Sequence, residues 1–173
     1  MIAPRLETER LLLREFRLDD FEPFVAMLGD PVVTRHIGGL VVDRATAWDK
    51  FARAPGFWAL LGYGMWIVED KASGRFAGNV GFGLFERAID PPLPEIPEMA
   101  WVLGEWAQGQ GIGHEAVSAA IAWGDAHLIE PRYVCIIAPE NAASLRLAEK
   151  NGFVETRRSP YKGEETVVLE RVT

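Results

Sequence analysis

A six-residue loop, Gln108–Gly113, constrains this chain more than any other segment, because three of its residues are glycines and a helical pattern follows at once. Glycine enters left-handed backbone conformations without a steric penalty, so such a loop can curl until several N–H groups converge. The first turn of the following helix, predicted over His114–Leu128, adds unpaired donors and a positive dipole end. The sequence therefore predicts a site for an anion, most simply a phosphate. The alternative is a tight strand-to-helix turn with no ligand.

Two familiar phosphate-binding loops do not fit these residues. A nucleotide-hydrolysing loop requires a Lys and a hydroxyl residue after its last glycine, whereas Gly113 is followed by His114 and Glu115. A dinucleotide-binding loop has a wider final glycine spacing and follows the first strand of its fold, whereas this loop lies beyond residue 100. The remaining interpretation is a cofactor whose phosphates are held by backbone groups and are not cleaved.

Length and composition favour one soluble domain over residues 1–173. The longest uncharged apolar stretch, Phe57–Val68, has 12 residues and is too short to span a membrane. Charged residues begin at Arg5, before any apolar signal segment, so we expect a cytoplasmic protein. The single cysteine, Cys135, cannot form an internal disulfide and is expected to be a small buried residue.

The charge pattern excludes one class of partner and favours another. A net charge of −7 with no basic stripe argues against nucleic acid, since Arg157 and Arg158 form only a pair. An acidic chain suits an amine-bearing acceptor. The three histidines are scattered and have too few carboxylate or thiol neighbours to predict a metal site.

Alternating strand and helix patterns predict a mixed α/β fold, with a mostly antiparallel central sheet flanked by helices. Short loops join several strands, which is typical of hairpins. The predicted helices cover residues 20–28, capped by Asp19 and Asp20, then 43–54, 114–128, and 141–151 with Asn141 as N-cap. The predicted strands are Arg10–Phe16, Gly64–Glu69, Arg75–Glu86, Glu98–Leu103, Tyr133–Ala138, Val154–Arg158 and Glu165–Val172. The proline-rich segment Asp90–Pro97 should be a surface loop near the site.

Four motifs occur in an order that resembles one family. They are the opening segment Leu6–Arg14, the strand Glu98–Leu103, the loop Gln108-x-x-Gly111-x-Gly113, and Asn141-x-x-Ser144 followed by Glu149-Lys150-x-Gly152-Phe153. Together they resemble the GNAT superfamily of acetyl-CoA-dependent N-acetyltransferases, and within it the branch of ribosomal-protein N-terminal acetyltransferases. Ala100 and Trp101 stand where that branch usually has glycine and tyrosine, so the acetyl pocket is expected to differ in shape.

The resemblance implies a fold in which two central strands, Glu98–Leu103 and Tyr133–Ala138, splay apart. It implies that the loop binds the pyrophosphate of coenzyme A and that the pantetheine arm pairs with exposed strand backbone. An unpaired strand edge needs such donors and acceptors. The cofactor-binding residues that the resemblance implies are Met99, Trp101, Val102, Leu103, Gln108, Gly109, Gln110, Gly111, Ile112, Gly113, His114, Asn141, Ser144 and Lys150.

The resemblance also implies candidate catalytic groups. Glu98 is the first choice for the base that deprotonates the amine, with a solvated strand-end carboxylate as an equal alternative. Its rivals are carboxylates near the proline-rich loop, namely Glu86, Asp90 and Glu95. Many members protonate the leaving thiolate with a tyrosine, but Leu147–Lys150 contains none, so Ser144 inherits this role. The alternative is that Ser144 only helps to cap its helix. A backbone N–H of Met99–Leu103 would meet the developing oxyanion.

The implied function is transfer of an acetyl group from acetyl-CoA, as cosubstrate and without a metal, to a primary amine by direct attack in a ternary complex. The acceptor could be a protein N-terminus or a small amine, and a homodimer is possible. Residues that select it are expected within Val33–Trp66 and Ala88–Pro97. In the first segment we expect most of the following aromatic residues to lie in the core and one or two to line the acceptor pocket: Trp48, Phe57, Trp58, Tyr63 and Trp66. The alternative is a non-catalytic acyl-CoA-binding or regulatory module.

Overall fold

A computed structural model describes residues 2–39 and 41–172, and within them eight strands form one sheet in the order β1-β2-β3-β4-β5-β6-β8-β7. All neighbouring strands are antiparallel except β5 and β6. The strands are β1 Leu6–Glu7, β2 Leu11–Arg14, β3 Met65–Asp70, β4 Phe76–Gly83, β5 Glu98–Leu103, β6 Arg132–Ile137, β7 Val154–Tyr161 and β8 Glu164–Val172. The helices are α1 Phe21–Leu28, α2 Pro31–Thr34, α3 Arg44–Leu61, α4 Ile112–His127 and α5 Ala142–Lys150. The predicted mixed, mostly antiparallel fold is confirmed.

The helices cover both faces of the sheet. On one face α4 packs its narrow stripe of small residues against β4 and β5, and Val117 and Ala120 are fully buried there. Gly124 is also part of this stripe. A Cβ at that position would overlap the Tyr133 hydroxyl, so the close packing requires glycine there. On the other face α1 and α3 pack around Phe24 and Phe51. Among the described residues, no helix is both long and apolar enough to cross a membrane.

A buried ion cluster fixes the first part of the sheet. The Arg14 guanidinium donates to both carboxylate oxygens of Asp20, at 2.7 and 2.8 Å, and to Glu69 on β3 at 2.7 Å. Asp20 was predicted to cap α1, but its side chain makes no cap bond to that helix. It accepts instead from Arg14 and from the Arg17 backbone N–H, because the buried guanidinium needs a counter-charge.

Tertiary packing overrides local signals at two element ends. Helix α3 was predicted to end at about Ala54, but it continues through Pro55 to Leu61. Phe57 and Trp58 are buried from this extension, and their burial offsets the hydrogen bond that Pro55 cannot make. Strand β4 ends at Gly83, three residues earlier than predicted, and Glu86 has a left-handed φ of 48° that interrupts an extended strand.

The C-terminal hairpin is confirmed, although its strands are longer than predicted. Lys162 and Gly163 form its two-residue turn with positive φ values of 53° and 82°. Strand β8 lies between β6 and β7 in the sheet. The turn joins Tyr161, the last residue of β7, to Glu164, the first residue of β8. At the end of α5, Gly152 adopts the expected left-handed conformation and Phe153 is buried in the core.

The close approach of β4 and β5 depends on Gly78, which has φ 148°. A Cβ there would overlap the carbonyl oxygen of Val102 on β5. We therefore expect Gly78→Ala to lower the free energy of unfolding by about 3 kcal/mol, from overpacking and backbone strain together. Urea denaturation measures this loss.

Gly56→Ala is the matched control, because Gly56 lies inside α3 with open space around its Cα and no positive φ. We expect it to be neutral or stabilising by up to about 1 kcal/mol. Equal losses in the two variants would contradict the argument for Gly78.

Candidate active site

The sheet splits between β5 and β6. The two strands share a single ladder position, Glu98 opposite Val134, where the Val134 N–H donates to the Pro97 carbonyl at 3.1 Å. Beyond that point β5 runs on to Leu103 and β6 to Ile137 with no further pairing between them in the described chain. A gap therefore opens in the middle of the sheet, with Glu98 where the strands part.

Backbone groups of β5 line this gap. The Gly104 N–H bonds to Ala77 of β4 at 2.9 Å, whereas the Pro97 carbonyl faces β6. Because orientation alternates along a strand, the polar backbone groups of Met99, Trp101 and Leu103 face the β6 side. The Met99 N–H takes part in the single ladder position and the Leu103 carbonyl accepts from the Gln108 side chain at 3.1 Å, so the Trp101 N–H and carbonyl and the Leu103 N–H face the gap. Val102 differs from the prediction, since its backbone faces β4 and its side chain packs toward α1 and α3.

The predicted loop forms the N-terminus of α4. Gly109 and Gly111 have left-handed φ values of 72° and 77°, and Gly111 is the N-cap without a capping side chain. The helix bonds begin with the Glu115 N–H donating to Gly111 at 3.1 Å, so the four N–H groups of Gly111 to His114 have no acceptor among the described residues. The Gln108 N–H is already bonded to Glu105, at 3.1 Å.

Arg10 contacts this loop, and the sequence did not predict it as a site residue. Its guanidinium donates to the Gln110 carbonyl at 2.9 Å and to Glu115 of α4 at 2.7 Å. Thr8 also donates to Glu115, at 2.6 Å. The residues just before β2 and the first turns of α4 thus border one groove of about 620 Å³, which lies beside Gly111 and His114. A cation beside free N–H groups suits a polyanionic ligand.

The start of α5 faces β5 across the gap. The Asn141 side chain accepts from the Ser144 N–H at 3.2 Å, which confirms Asn141 as N-cap. The Trp101 indole N–H donates to the Ser144 hydroxyl at 3.3 Å. The structure therefore brings Trp101, Asn141 and Ser144 together. Lys150 lies at the other end of α5, exposed and about 12 Å along the helix axis from Ala142.

Glu98 is a buried carboxylate with one cationic partner. It is 5% exposed, and both of its oxygens accept from Arg87, at 2.7 and 2.8 Å from Nε. Burial raises the pKa of Glu98 above its ordinary value, although Arg87 acts in the opposite direction. The alternative of a solvated strand-end carboxylate is therefore excluded. The rivals Glu86, Asp90 and Glu95 are exposed on the following loop.

Tyr161 completes this cluster from the C-terminal hairpin. Its hydroxyl accepts from Arg87 at 3.2 Å. Burial alone would raise the pKa of Tyr161, but the hydrogen bond and charge of Arg87, with Lys162, lower it below its ordinary value. Arg87 and Tyr161 were missed because 74 residues separate them and neither lies in a recognisable motif. Phe57, one of the aromatic residues expected near the acceptor, contacts Phe85 next to this cluster.

Comparisons with known proteins agree with this geometry. Residues 10–154 match the acetyltransferase (GNAT) domain family. The uncharacterized protein YkkB of Bacillus subtilis is 30% identical over 154 residues, covering 86% of this chain and 84% of YkkB. A Bordetella pertussis protein assigned to the GnaT-family acetyltransferases is 30% identical, covers 98% of this chain and 100% of its own, and superposes with a TM-score of 0.86.

A more distant structure shares the fold and contains a ligand. RimL, the ribosomal L7/L12 alpha-N-protein acetyltransferase, was solved in complex with coenzyme A. It is 17% identical to this chain, with a TM-score of 0.77 and 98% of each chain covered.

The free donors at Gly111–His114 predict that a carboxylate placed there prevents an anion from binding. We expect saturating coenzyme A to raise the melting temperature of the wild-type protein but not that of Gly111→Asp, because the new carboxylate would face the phosphates. Differential scanning fluorimetry with and without coenzyme A measures the effect.

Gly62→Asp is the matched control, since Gly62 has a similar φ of 76° and open space around it at the end of α3. It introduces the same charge and similar strain but should keep the shift with coenzyme A. Stabilisation of the Gly111 variant by coenzyme A would disprove the phosphate site.

Proposed function

Because the chain belongs to the acetyltransferase (GNAT) domain family, we propose that it transfers an acetyl group from acetyl-CoA to a primary amine by direct attack in a ternary complex. The observation that carries the proposal is the split sheet. One end of the gap lies beside a helix N-terminus with free donors, and the other end holds a buried carboxylate. These are the two needs of the reaction: an anchor for a phosphorylated acyl carrier and a base for an amine.

The described residues fit acetyl-CoA, which supplies an acetyl group activated as a thioester. Its pyrophosphate would be held by the N–H groups of Gly111 to His114, with Arg10 alongside. The two amides of its pantetheine arm would pair with the backbone of Met99, Trp101 and Leu103. Binding of coenzyme A by RimL, which has the same fold, supports this assignment.

Glu98 would accept the proton of the attacking amine. A primary amine is mostly protonated at neutral pH and attacks only when neutral, so a base is needed. Burial raises the pKa of Glu98 and so increases its affinity for a proton, while Arg87 keeps the carboxylate oriented. The backbone N–H of Trp101, which is directed into the gap, would stabilise the oxygen that gains negative charge.

Ser144 would donate a proton to the departing thiolate. Its hydroxyl oxygen already accepts the Trp101 indole N–H, so the hydroxyl hydrogen is free to point elsewhere. Its backbone N–H is bonded separately to Asn141, which keeps α5 capped whatever the hydroxyl does. Trp101, a departure from the resembling branch, thus orients the proposed acid.

The second candidate function is a non-catalytic acyl-CoA-binding module. It is favoured by one observation, the pairing of both Glu98 oxygens with Arg87, which opposes proton uptake. Both functions require acetyl-CoA to bind. Only the enzyme releases free thiol faster when amines are present, so thiol release against a panel of amines and N-terminal peptides separates the two.

The role of Glu98 predicts a specific pH profile. Base catalysis requires the ionised carboxylate, so the wild-type rate should fall as pH drops through a pKa above the ordinary glutamate value of about 4.3. Glu98→Gln should lose the inflection at the Glu98 pKa, follow only the protonation of the amine, and lose roughly a hundredfold in turnover near neutral pH. The deficit should shrink at high pH, where the amine is already neutral. Steady-state rates from about pH 5 to about pH 10 measure this.

The same measurement tests the rival carboxylates. The KM for acetyl-CoA should be unchanged in Glu98→Gln, because the carboxylate lies away from the phosphate site. A Glu98→Gln profile that keeps the wild-type inflection, or a larger loss in Glu86→Gln or Glu95→Gln, would remove Glu98 as the base.

The role of Ser144 predicts a loss of turnover without a loss of binding. Ser144→Ala should lower kcat by roughly tenfold to a hundredfold, because the thiolate then leaves without a proton donor. Ser144→Thr keeps a hydroxyl and is the conservative control. If the alanine variant has the wild-type kcat, Ser144 serves only the helix terminus.

A further inference from the structure

Four basic side chains converge around the Glu98 end of the gap, although the chain as a whole has a net charge of −7. Lys50 and Arg53 come from α3, Arg87 from the loop after β4, and Lys162 from the β7–β8 turn. Three elements remote in sequence therefore contribute cations to one place. We call these four residues the basic cluster.

Aromatic rings hold the basic cluster together. The Arg53 guanidinium lies over Phe57 and Phe85, at 5.6 and 5.4 Å from the ring centroids. Arg87 lies 4.9 Å from Phe85 and 5.7 Å from Tyr161, and Lys162 lies 5.3 Å from Tyr161. Cation–π contacts of this kind fix positive charges without neutralising them.

The basic cluster has little counter-charge. Glu98 neutralises Arg87, which also gives a hydrogen bond to Tyr161. Lys50, Arg53 and Lys162 have no carboxylate within 4.0 Å anywhere in residues 2–39 and 41–172. The pKa of Lys50 is lowered, first by partial desolvation of its ammonium and then by the charges of Arg53, Lys162 and Arg87. The charges of the other three cluster residues thus add to the effect of desolvation.

The basic cluster is not placed to bind the cofactor phosphates. Those belong to Gly111–His114, near the Leu103 end of β5, and the five residue steps from Glu98 to Leu103 span about 17 Å. Glu98 also shares its face of the sheet with Ala100 and Val102, which pack toward α1 and α3 rather than toward α4. The cluster therefore borders the side from which an acceptor reaches the proposed base.

We propose that the acceptor is an amine that also carries a carboxylate, and that Lys50, Arg53 and Lys162 bind this carboxylate. The inference rests on the proposed function and names the substrate class for the same site. A compact anion fits three cations from two elements that are remote in sequence, α3 and the β7–β8 turn, whereas an extended polyanion would meet the acidic remainder of the surface. A polyamine would be repelled.

The same charges favour the reaction itself. A positive potential stabilises the neutral form of a nearby amine relative to its ammonium form, which lowers the amine pKa. An acceptor anchored by its carboxylate therefore presents a nucleophile that needs less help from Glu98. Arg87 has no free role in this anchor, because Glu98 and Tyr161 take its donors.

The test compares matched acceptors that differ only in the carboxylate. Alanyl-glycine and other dipeptides are assayed with acetyl-CoA beside their C-terminal carboxamides, so that the change lies away from the reacting amine. We expect kcat/KM to favour the acid by roughly tenfold, since contacts to charged groups are of this size. The preference should fall toward unity in Arg53→Gln and in Lys162→Asn, which suits the left-handed turn, and with added salt.

Arg5→Gln is the matched control, because Arg5 is an exposed cation with a single 3.4 Å ion pair to Glu15, far from the basic cluster. It should keep the acid preference. Equal or better acetylation of the carboxamides, or a preference that survives both cluster variants, would overturn the inference while leaving acetyl transfer intact.

A binding measurement covers the case in which no amine is acetylated. Calorimetric titration of the coenzyme A-loaded protein with N-acetylated dipeptides, as acids and as carboxamides, requires no turnover. Tighter binding of the acids that is lost in Lys162→Asn supports the carboxylate site even if the proposed enzyme activity fails. Equal binding of acids and carboxamides refutes it.

Discussion

The single contact between β5 and β6 determines the organisation of this molecule. Strands β5 and β6 pair only at Glu98 and Val134, so a row of backbone N–H and C=O groups inside the sheet has no partner strand. Unpaired polar groups of this kind cost free energy unless a bound ligand supplies hydrogen-bond partners. The gap also separates the two kinds of chemistry. Free donors of α4 lie at one end, and a buried carboxylate with its cationic partner lies at the other. Fold and site therefore follow from the same interruption.

The parts of the structure that were predicted from the sequence are those with a local signal. The glycines of the loop 108–113 predict left-handed backbone conformations, and Gly109 and Gly111 adopt them. Asn141 is a recognisable N-cap, and its side chain accepts from Ser144 as expected. Strand β5 has the predicted bounds, Glu98–Leu103. Each of these features depends on neighbours within a few residues, and the fold and the family followed from their order.

The parts that were missed depend on pairs distant in sequence. Arg87 and Tyr161 are 74 residues apart, and Arg10 and Glu115 are 105 apart, so no spacing reveals that either pair meets. Asp20 is a different case, because its partner Arg14 is only six residues away; what the local sequence does not show is that Arg14 is buried and takes the Asp20 carboxylate from the helix terminus. The local distribution of charge was missed because it, too, depends on residues distant in sequence. A chain acidic overall carries a local basic cluster that only the fold assembles.

Residue-resolved amide hydrogen exchange with and without acetyl-CoA tests the central claim, that the split sheet is an acyl-CoA site. Bound acetyl-CoA should slow exchange at Trp101 and Leu103 and at Gly111–His114, because these N–H groups lack protein acceptors, whereas the Met99 N–H already takes part in the single β5–β6 ladder position. Ala100 and Val102, which already bond to β4, should change little and serve as internal controls. The account would be contradicted if neither β5 nor the start of α4 gained protection. It would also be contradicted if Ala100 and Val102 gained as much protection as Trp101 and Leu103.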